Sequence, residues 1–125
     1  MSKRLRGKKA HDACVIYYSR GDGCWIAHGL HTDQIGTGDC VVHALADLMI
    51  ALQELADLAA EDPSIAMLRE APPAIQRKAR SAQPLPRELY EIAHKMVHGQ
   101  WPDIEVKIAP KRQQRFRAEL ETAPA

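Results

Sequence analysis

Two pairs of cysteine and histidine residues have spacings that could serve a metal ion. Cys24 and His28 are separated by three residues, and Cys40 and His43 by two; zinc is commonly bound by such sulfur and nitrogen ligands. Ligands of one zinc ion lie about 3.5–4 Å apart, whereas residues four positions apart on a strand are separated by about 13 Å. A site built from Cys40 and His43 would need the loop with His28 or His31 to fold back. We therefore predict no metal and no cofactor, and expect buried thiols and packed histidines.

Carboxylates are frequent, but their positions do not favour a nuclease. Cleavage of a phosphodiester with two metal ions needs several carboxylates that converge on one point. Asp47, Glu54 and Asp57 fall instead along one side of a predicted helix. His94 and His98 have the spacing of a metal-binding pair, but not the His-Glu-x-x-His pattern of metalloproteases. The sequence therefore predicts a protein without enzymatic activity.

Charge is segregated along the chain, although the formal net charge of its 125 residues is only +1. No Lys or Arg occurs between Arg20 and Arg69, where the acidic residues are Asp22, Asp33, Asp39, Asp47, Glu54, Asp57, Glu61 and Asp62. Basic residues gather near the ends, as Lys3, Arg4, Arg6, Lys8 and Lys9 and as Lys111, Arg112, Arg115 and Arg117. This pattern fits a basic protein partner, or a nucleic acid that touches only the ends. A solvated acidic helix face is the alternative interpretation.

The composition predicts a folded domain. Hydrophobic residues make up 46% of the chain and charged residues 26%, which excludes wholesale disorder. The six aromatic residues are few, so the core must be largely aliphatic. No apolar run approaches the length of a membrane span. Three cysteines do not suit a secreted disulfide scaffold, and we expect a cytoplasmic protein.

Hydrophobic patterns predict three consecutive strands, at residues 13–19, 24–31 and 33–37. A turn at residues 20–23 contains two glycines and would join the first two strands. A last strand is predicted at residues 103–109, where apolar and charged residues alternate strictly.

A long amphipathic helix is predicted after residue 40. Its apolar positions recur three and four residues apart, at Val41, Leu45, Leu48, Leu52, Leu55 and Ala59. We expect Leu48 and Leu52 to be fully buried, and Asp39, or else Cys40, to be the N-cap. A short helix at 62–70 and a second amphipathic helix at 85–98 are predicted to follow. The inward side of this second amphipathic helix would consist of Leu89, Ile92, Ala93, Met96 and Val97.

These elements predict an α+β domain with the order β-β-β-α-(α)-β. We expect a small antiparallel or mixed sheet covered by the one long helix, in two layers. The single domain spans residues 13–109 and includes a helical insertion at 63–100 that prolines interrupt. Residues 1–12 are expected to form a mobile basic arm and residues 110–125 a polar tail.

One stretch of the chain carries a family resemblance. Residues 25–48 read WIAHGLHTDQIGTGDCVVHALADL. This stretch resembles the HicB-like antitoxin family, and the similarity extends without gaps over residues 13–58. The matching positions are Trp25, Ile26, Ala27, His28, Leu30, Asp33, Ile35, Gly38, Asp39, Ala44, Leu45 and Leu48. Cys40 and His43 stand where the family has the Thr and Glu of a reciprocal capping box.

The resemblance implies a partially degenerate ribonuclease-H-like fold. It also implies a non-enzymatic antitoxin that binds and neutralises a small basic ribonuclease toxin of the HicA type. Asp47, Glu54, Asp57 and Glu61 are the candidate surface for such a cationic partner, whereas the matching positions are expected to be structural. An orphan scaffold or binding module that keeps this fold without a toxin is the alternative. Family members commonly add a DNA-binding segment, but the proline-rich C-terminal part shows no clear recognition helix.

A homodimer is expected through the third predicted strand, at residues 33–37. The ribonuclease-H-like strand order puts this strand at a sheet edge, and it carries no Lys or Pro that would guard against pairing. The last strand carries Glu105 and Lys107 between Pro102 and Pro110, which are such guards. The alternative is a monomer whose edge is covered by residues 63–98.

Overall fold

The computed structural model describes residues 12–98 and 104–109. Within these ranges the chain forms five strands and three helices. In chain order they are β1 (Ala13–Ser19), β2 (Cys24–Gly29), β3 (Ile35–Gly38), α1 (Val41–Glu61), α2 (Pro73–Arg80), β4 (Gln83–Pro84), α3 (Arg87–Met96) and β5 (Glu105–Ile108). The predicted arm, apart from Asp12, and the predicted tail at 110–125 lie outside the described residues.

The strands form one mixed sheet in the order β3-β2-β1-β5-β4. β1 pairs antiparallel with β2 and β2 with β3, whereas β1 and β5 run parallel. At the turn after β1, Gly23 has a φ of +68°, which glycine adopts without steric cost. The predicted α+β class with a mixed sheet is confirmed. The short strand β4, which pairs with β5, is absent from the sequence-based prediction.

Helix α1 packs its apolar stripe on one side of the sheet, called here the first face. Leu48 and Leu52, predicted to be buried, are 0% and 1% exposed. The same core cluster includes Cys14, Ile16, Ala27, Ala44, Leu45, Met49 and Val106. The helix approaches β3 closely because Gly36 has no side chain. A Cβ atom at Gly36 would lie 2.6 Å from the carbonyl oxygen of Ala44.

The predicted N-cap of α1 at Asp39 is wrong. Cys40 occupies the N-cap position, with φ −144° and ψ 171°, and no side-chain hydrogen bond caps the helix. Because α1 begins at Val41, Asp39 lies one residue too early to accept from the first free amides. Asp39 is exposed to solvent instead.

The prediction of two layers with a single covering helix is also wrong. Helix α2 packs on the opposite side of the sheet, called here the second face, where Ala79 is buried with Val15 and Leu30. The pair Pro72-Pro73 starts a helix, since Pro72 is the N-cap and Pro73 the first residue of α2. Proline is well suited to that position, because its fixed φ is helical and the first amides of a helix are unpaired.

The connection between α1 and α2 does not contain the helix predicted at 62–70. The carboxylate of Asp62 accepts hydrogen bonds from the amide and hydroxyl of Ser64 and forms a turn. Further along, the amide of Ala71 donates to the Leu30 carbonyl at 3.0 Å. The segment is therefore held by the end of β2, and its backbone bonds are made to another element rather than within a helix.

Helix α3 contributes Tyr90 and Ala93 to the core of the first face. It is two residues shorter at each end than the predicted helix at 85–98. Ile92 and Met96, predicted to point inward, are exposed, because the inward side of the helix is centred on Tyr90 and Ala93. Among the described helices, none combines the length and apolar character that crossing a membrane requires.

Candidate functional site

The candidate partner surface is the outer side of α1. Asp47, Glu54, Asp57 and Glu61 are all exposed there, and we call these four residues the acidic stripe. Their spacings of seven, three and four residues place them on one side of the helix, opposite the buried positions of the first face. Ile50 is exposed among them, so the stripe also offers some apolar area.

The four carboxylates are not equivalent. Asp47 Oδ2 accepts the backbone amide of Thr37 in β3 at 2.9 Å, so this residue has a structural contact. Asp57 Oδ1 accepts from the side-chain amide of Gln53, one helical turn away, at 3.1 Å. Within the described residues, Glu54 and Glu61 take part in no hydrogen bond or ion pair. These two residues are therefore fully available to a partner.

No cation of the described chain neutralises the acidic stripe. The ion pairs found in residues 12–98 and 104–109 are His28–Asp33, His31–Glu70 and Arg87–Glu91, and none involves the stripe. Asp62, just beyond α1, adds a further carboxylate; hydrogen bonds from the side chain and then the backbone of Ser64 lower its pKa. The stripe thus presents a uniformly negative field to an approaching cationic surface.

Several positions that match the family pattern lie in the core of the first face. Ala27, Ala44, Leu45 and Leu48 are fully buried there. Trp25 packs against this core and makes an edge-to-face contact with Tyr18, with ring centroids 5.5 Å apart. Gly38 allows close packing, since a Cβ atom there would lie 2.6 Å from the amide nitrogen of Ala44. These positions therefore serve the fold.

His28 and Asp33 form a polar corner at the end of β2. Nε2 of His28 donates to Oδ1 of Asp33 at 2.7 Å, and the imidazole is buried on the second face. Asp33 has a φ of +58°, a conformation that Asp and Asn tolerate better than most residues. Within the described residues, Nδ1 of His28 is buried without a hydrogen-bond partner.

Asp12 holds the loop that follows β2, a role that the sequence did not indicate. Its buried carboxylate accepts from the amides of Ala13 and His31 and from the hydroxyl of Thr32. Gly29 leaves room for this contact, because a Cβ atom there would lie 3.2 Å from Oδ2 of Asp12. An Asp before a strand is common, so no pattern in the chain could have identified it.

The cysteine and histidine pairs do not converge. In the part of the chain that the structure describes, no group of three or more His, Cys, Asp or Glu residues could hold a metal ion. All three cysteines are free: Cys14 is buried, Cys24 is half-buried and Cys40 is exposed. Burial, and then the charge of Asp12, raise the pKa of Cys14. Its thiol is therefore protonated and inert, as is usual for a buried structural cysteine.

Comparison of the chain with protein-family models, with curated proteins and with solved structures found no match. The features of this chain that bear on its function are an acidic stripe without ion pairs on a well-packed helix, a polar corner at β2, and motif positions that serve the fold.

Proposed function

We propose that this chain is a non-enzymatic HicB-like antitoxin-type protein that binds and neutralises a small basic ribonuclease toxin of the HicA type. The observation that carries the proposal is the acidic stripe, which is exposed and has no cation near it in the described residues. A basic RNA-binding surface is the natural complement of such a stripe, and masking that surface would exclude RNA from the toxin.

The strand arrangement supports the family part of the proposal. The resemblance implies a sheet in which the third strand is at one edge and the last strand lies towards the other. The observed order β3-β2-β1-β5, with β1 and β5 parallel, agrees with this expectation. Matching positions such as Ala27, Gly38 and Ala44 lie where this sheet meets α1, whereas His28 and Leu30 lie on the second face.

The stripe is also mechanically suited to binding. It lies on a helix whose other side contains Leu48 and Leu52, both fully buried, so the carboxylates are displayed on a rigid element. Exposed ion pairs contribute about 0.5 kcal/mol each, and charges at the rim of an interface mainly increase the association rate. Ile50 and Leu58, both exposed beside the carboxylates, can supply apolar contact area.

The test is to sequence the genes beside this one and to co-express the chain with any short basic reading frame found there, followed by measurement of affinity and of ribonuclease inhibition. A variant with Glu54→Gln, Asp57→Asn and Glu61→Gln should bind about tenfold more weakly, since three pairs at about 0.5 kcal/mol amount to about 1.5 kcal/mol. Asp47 is left unchanged because it also contacts β3.

The matched control changes the same number of exposed carboxylates elsewhere on the protein. These are Glu88, Glu91 and Glu105, each replaced by Gln. The control should bind within about twofold of the unchanged protein. Equal loss in both variants would mean that net charge, and not the stripe, determines binding.

The alternative is an orphan scaffold or binding module of the same fold without a toxin partner. The acidic stripe is then a solvated helix face. The absence of a toxin-like frame beside the gene, or a neighbouring protein that the chain neither binds nor inhibits, would favour this alternative.

We also propose that two copies pair along β3. In the β2–β3 ladder, the amide of Gly29 donates to the carbonyl oxygen of Gln34, so these residues form a hydrogen-bonded pair. Because hydrogen-bonded and non-hydrogen-bonded pairs alternate in an antiparallel ladder, the amides of Ile35 and Thr37 point away from β2. The amide of Thr37 donates to the carboxylate of Asp47. Of these two amides, that of Ile35 is therefore the one that can pair with a second copy. Light scattering at tens of micromolar should give twice the mass of 13.9 kDa, and Ile35→Pro should return it to the single mass.

A further inference from the structure

The exposed side of α2 carries cations and no carboxylate. Its sequence, PAIQRKAR, contains Arg77, Lys78 and Arg80. Arg77 and Arg80 are exposed, and Nζ of Lys78 lies 4.9 Å from the centroid of the Tyr17 ring. Lys107 of β5 lies on the same side of the sheet, because its Cα is in register with Val15, which is buried beneath α2. We call Arg77, Lys78, Arg80 and Lys107 the basic face.

Within the described residues these four cations form no ion pair, although Lys78 lies over the ring of Tyr17. None of the ion pairs of residues 12–98 and 104–109 involves them. The dipole of α2 favours positive charge in its last turn, which accounts for part of the pattern in the helix. It does not account for Lys107, which is on a strand.

The acidic groups on this side of the sheet lie outside α2. Glu105 shares this side of the sheet, since it is in register with Ala13. Asp22 lies near Tyr17, at the end of β1 on this side of the sheet. The pKa of Tyr17 is raised by burial and next by the charge of Asp22. Glu70 lies beside α2, since its carboxylate accepts from the side-chain amide of Gln76 at 3.2 Å, and Asp33 lies at the polar corner of the same face. The four cations therefore share this side with four carboxylates, none of them on α2, whereas the acidic stripe lies on the other side of the sheet.

We propose that the basic face binds the phosphodiester backbone of nucleic acid without sequence preference. Arg77 and Arg80 are exposed and Lys78 and Lys107 are half-buried on the same side, and cationic side chains on one surface suit a regular array of phosphates. The helix that carries Arg77 and Arg80 packs on the sheet through Ala79, and contacts of such side chains with phosphates carry no sequence information. The acidic stripe repels the same backbone, so nucleic acid would approach from one side only. This inference does not depend on the proposed antitoxin function.

The salt dependence of binding gives a quantitative expectation. Each phosphate contact on a single strand contributes about −0.7 to the slope of log affinity against log salt, so four contacts give about −2.8. Between about 50 and about 200 mM salt, that slope corresponds to about 50-fold weaker binding. Loss of two contacts would reduce the slope to about −1.4 and the change to about sevenfold.

The experiment measures fluorescence anisotropy of the full chain with a labelled oligouridylate of about 20 nucleotides. A second series of measurements uses a duplex DNA with the same number of phosphates. It shows whether the basic face prefers single-stranded RNA or duplex DNA. The test variant is Arg77→Gln with Arg80→Gln, which should bind more than about tenfold more weakly and show the reduced slope. Both residues are exposed, so the variant should stay folded, with a melting temperature lowered only by the loss of favourable charges near the C-terminus of α2.

The matched control removes two cations from α3, with Arg87→Gln and Lys95→Gln. It makes the same change in net charge and should bind within about twofold of the unchanged chain. Equal weakening in both variants, or undiminished binding by the test variant, would overturn the proposal. So would absence of binding to both nucleic acids at about 50 mM salt, or equal binding to phosphatidylserine vesicles with the same loss in the test variant.

Discussion

The two faces of the sheet differ in what covers them and in the charge that they present. The first face is covered by α1 and α3 and contains a large aliphatic core that includes Leu45, Leu48 and Leu52. The second face is covered by the eight-residue helix α2 over a small cluster of Val15, Leu30 and Ala79. The first face is thus the main source of stability, and the second is the thinner layer.

The outer surfaces of the two helices have opposite charge. Helix α1 has no Lys or Arg, whereas α2 has three cations and no carboxylate. A net charge of +1 hides this separation. Because the sheet lies between the two surfaces, one copy could bind a cationic partner on one side and a polyanion on the other. The two sides of the sheet therefore differ both in the thickness of their packing and in the charge that they present.

The largest effect is expected in the core of the first face. Leu52→Ala should lower the free energy of unfolding by about 2–5 kcal/mol, because Leu52 is 1% exposed and its truncation leaves a cavity. Urea denaturation followed by circular dichroism measures the change.

Leu58→Ala, at the exposed end of the same helix, is the matched control for Leu52→Ala. Leu58 is 53% exposed, so its truncation should cost less than about 1 kcal/mol. If the two variants lost the same stability, α1 would not be the main source of stability.

A somewhat smaller effect is expected where α1 meets the edge strand. Gly36→Ala should cost about 2–3 kcal/mol, because the new methyl group would meet the backbone of Ala44 and Leu48, which cannot move independently of the helix. Gly21→Ala is the control: no atom lies within 4 Å of a Cβ at that position. A Gly36→Ala protein as stable as the control would show that α1 can shift away from β3 at little cost.

The first face could largely be predicted from the sequence. The apolar stripe from Val41 to Ala59 has a period that only a helix satisfies, and the strict alternation around Val106 is that of a half-buried strand. These patterns are local, and each element buries the side that its own period defines. The outward position of the acidic stripe follows from the same period.

The second face could not be predicted in the same way. Helix α2 has few apolar residues and starts at a proline pair, and its position depends on long-range backbone bonds such as that from Ala71 to Leu30. The contact of Asp47 with Thr37 likewise joins residues ten positions apart through tertiary packing. Local patterns do not encode such contacts. The basic face depends on the tertiary fold, which brings Lys107 of β5 and the cations of α2 to the same side of the sheet.

The smallest of the three effects is expected at the polar corner of the second face. A carboxylate only accepts hydrogen bonds, so Nε2 of His28 carries the proton that it donates to Asp33. Asp33→Ala would leave this buried donor unpaired and place alanine at a φ of +58°. We expect a loss of about 1–2 kcal/mol in the free energy of unfolding. Asp33→Asn keeps an acceptor oxygen and tolerates positive φ, so it should lose less than about 1 kcal/mol. Equal losses in the two variants would mean that the carboxylate charge, and not the hydrogen bond to His28, stabilises the corner.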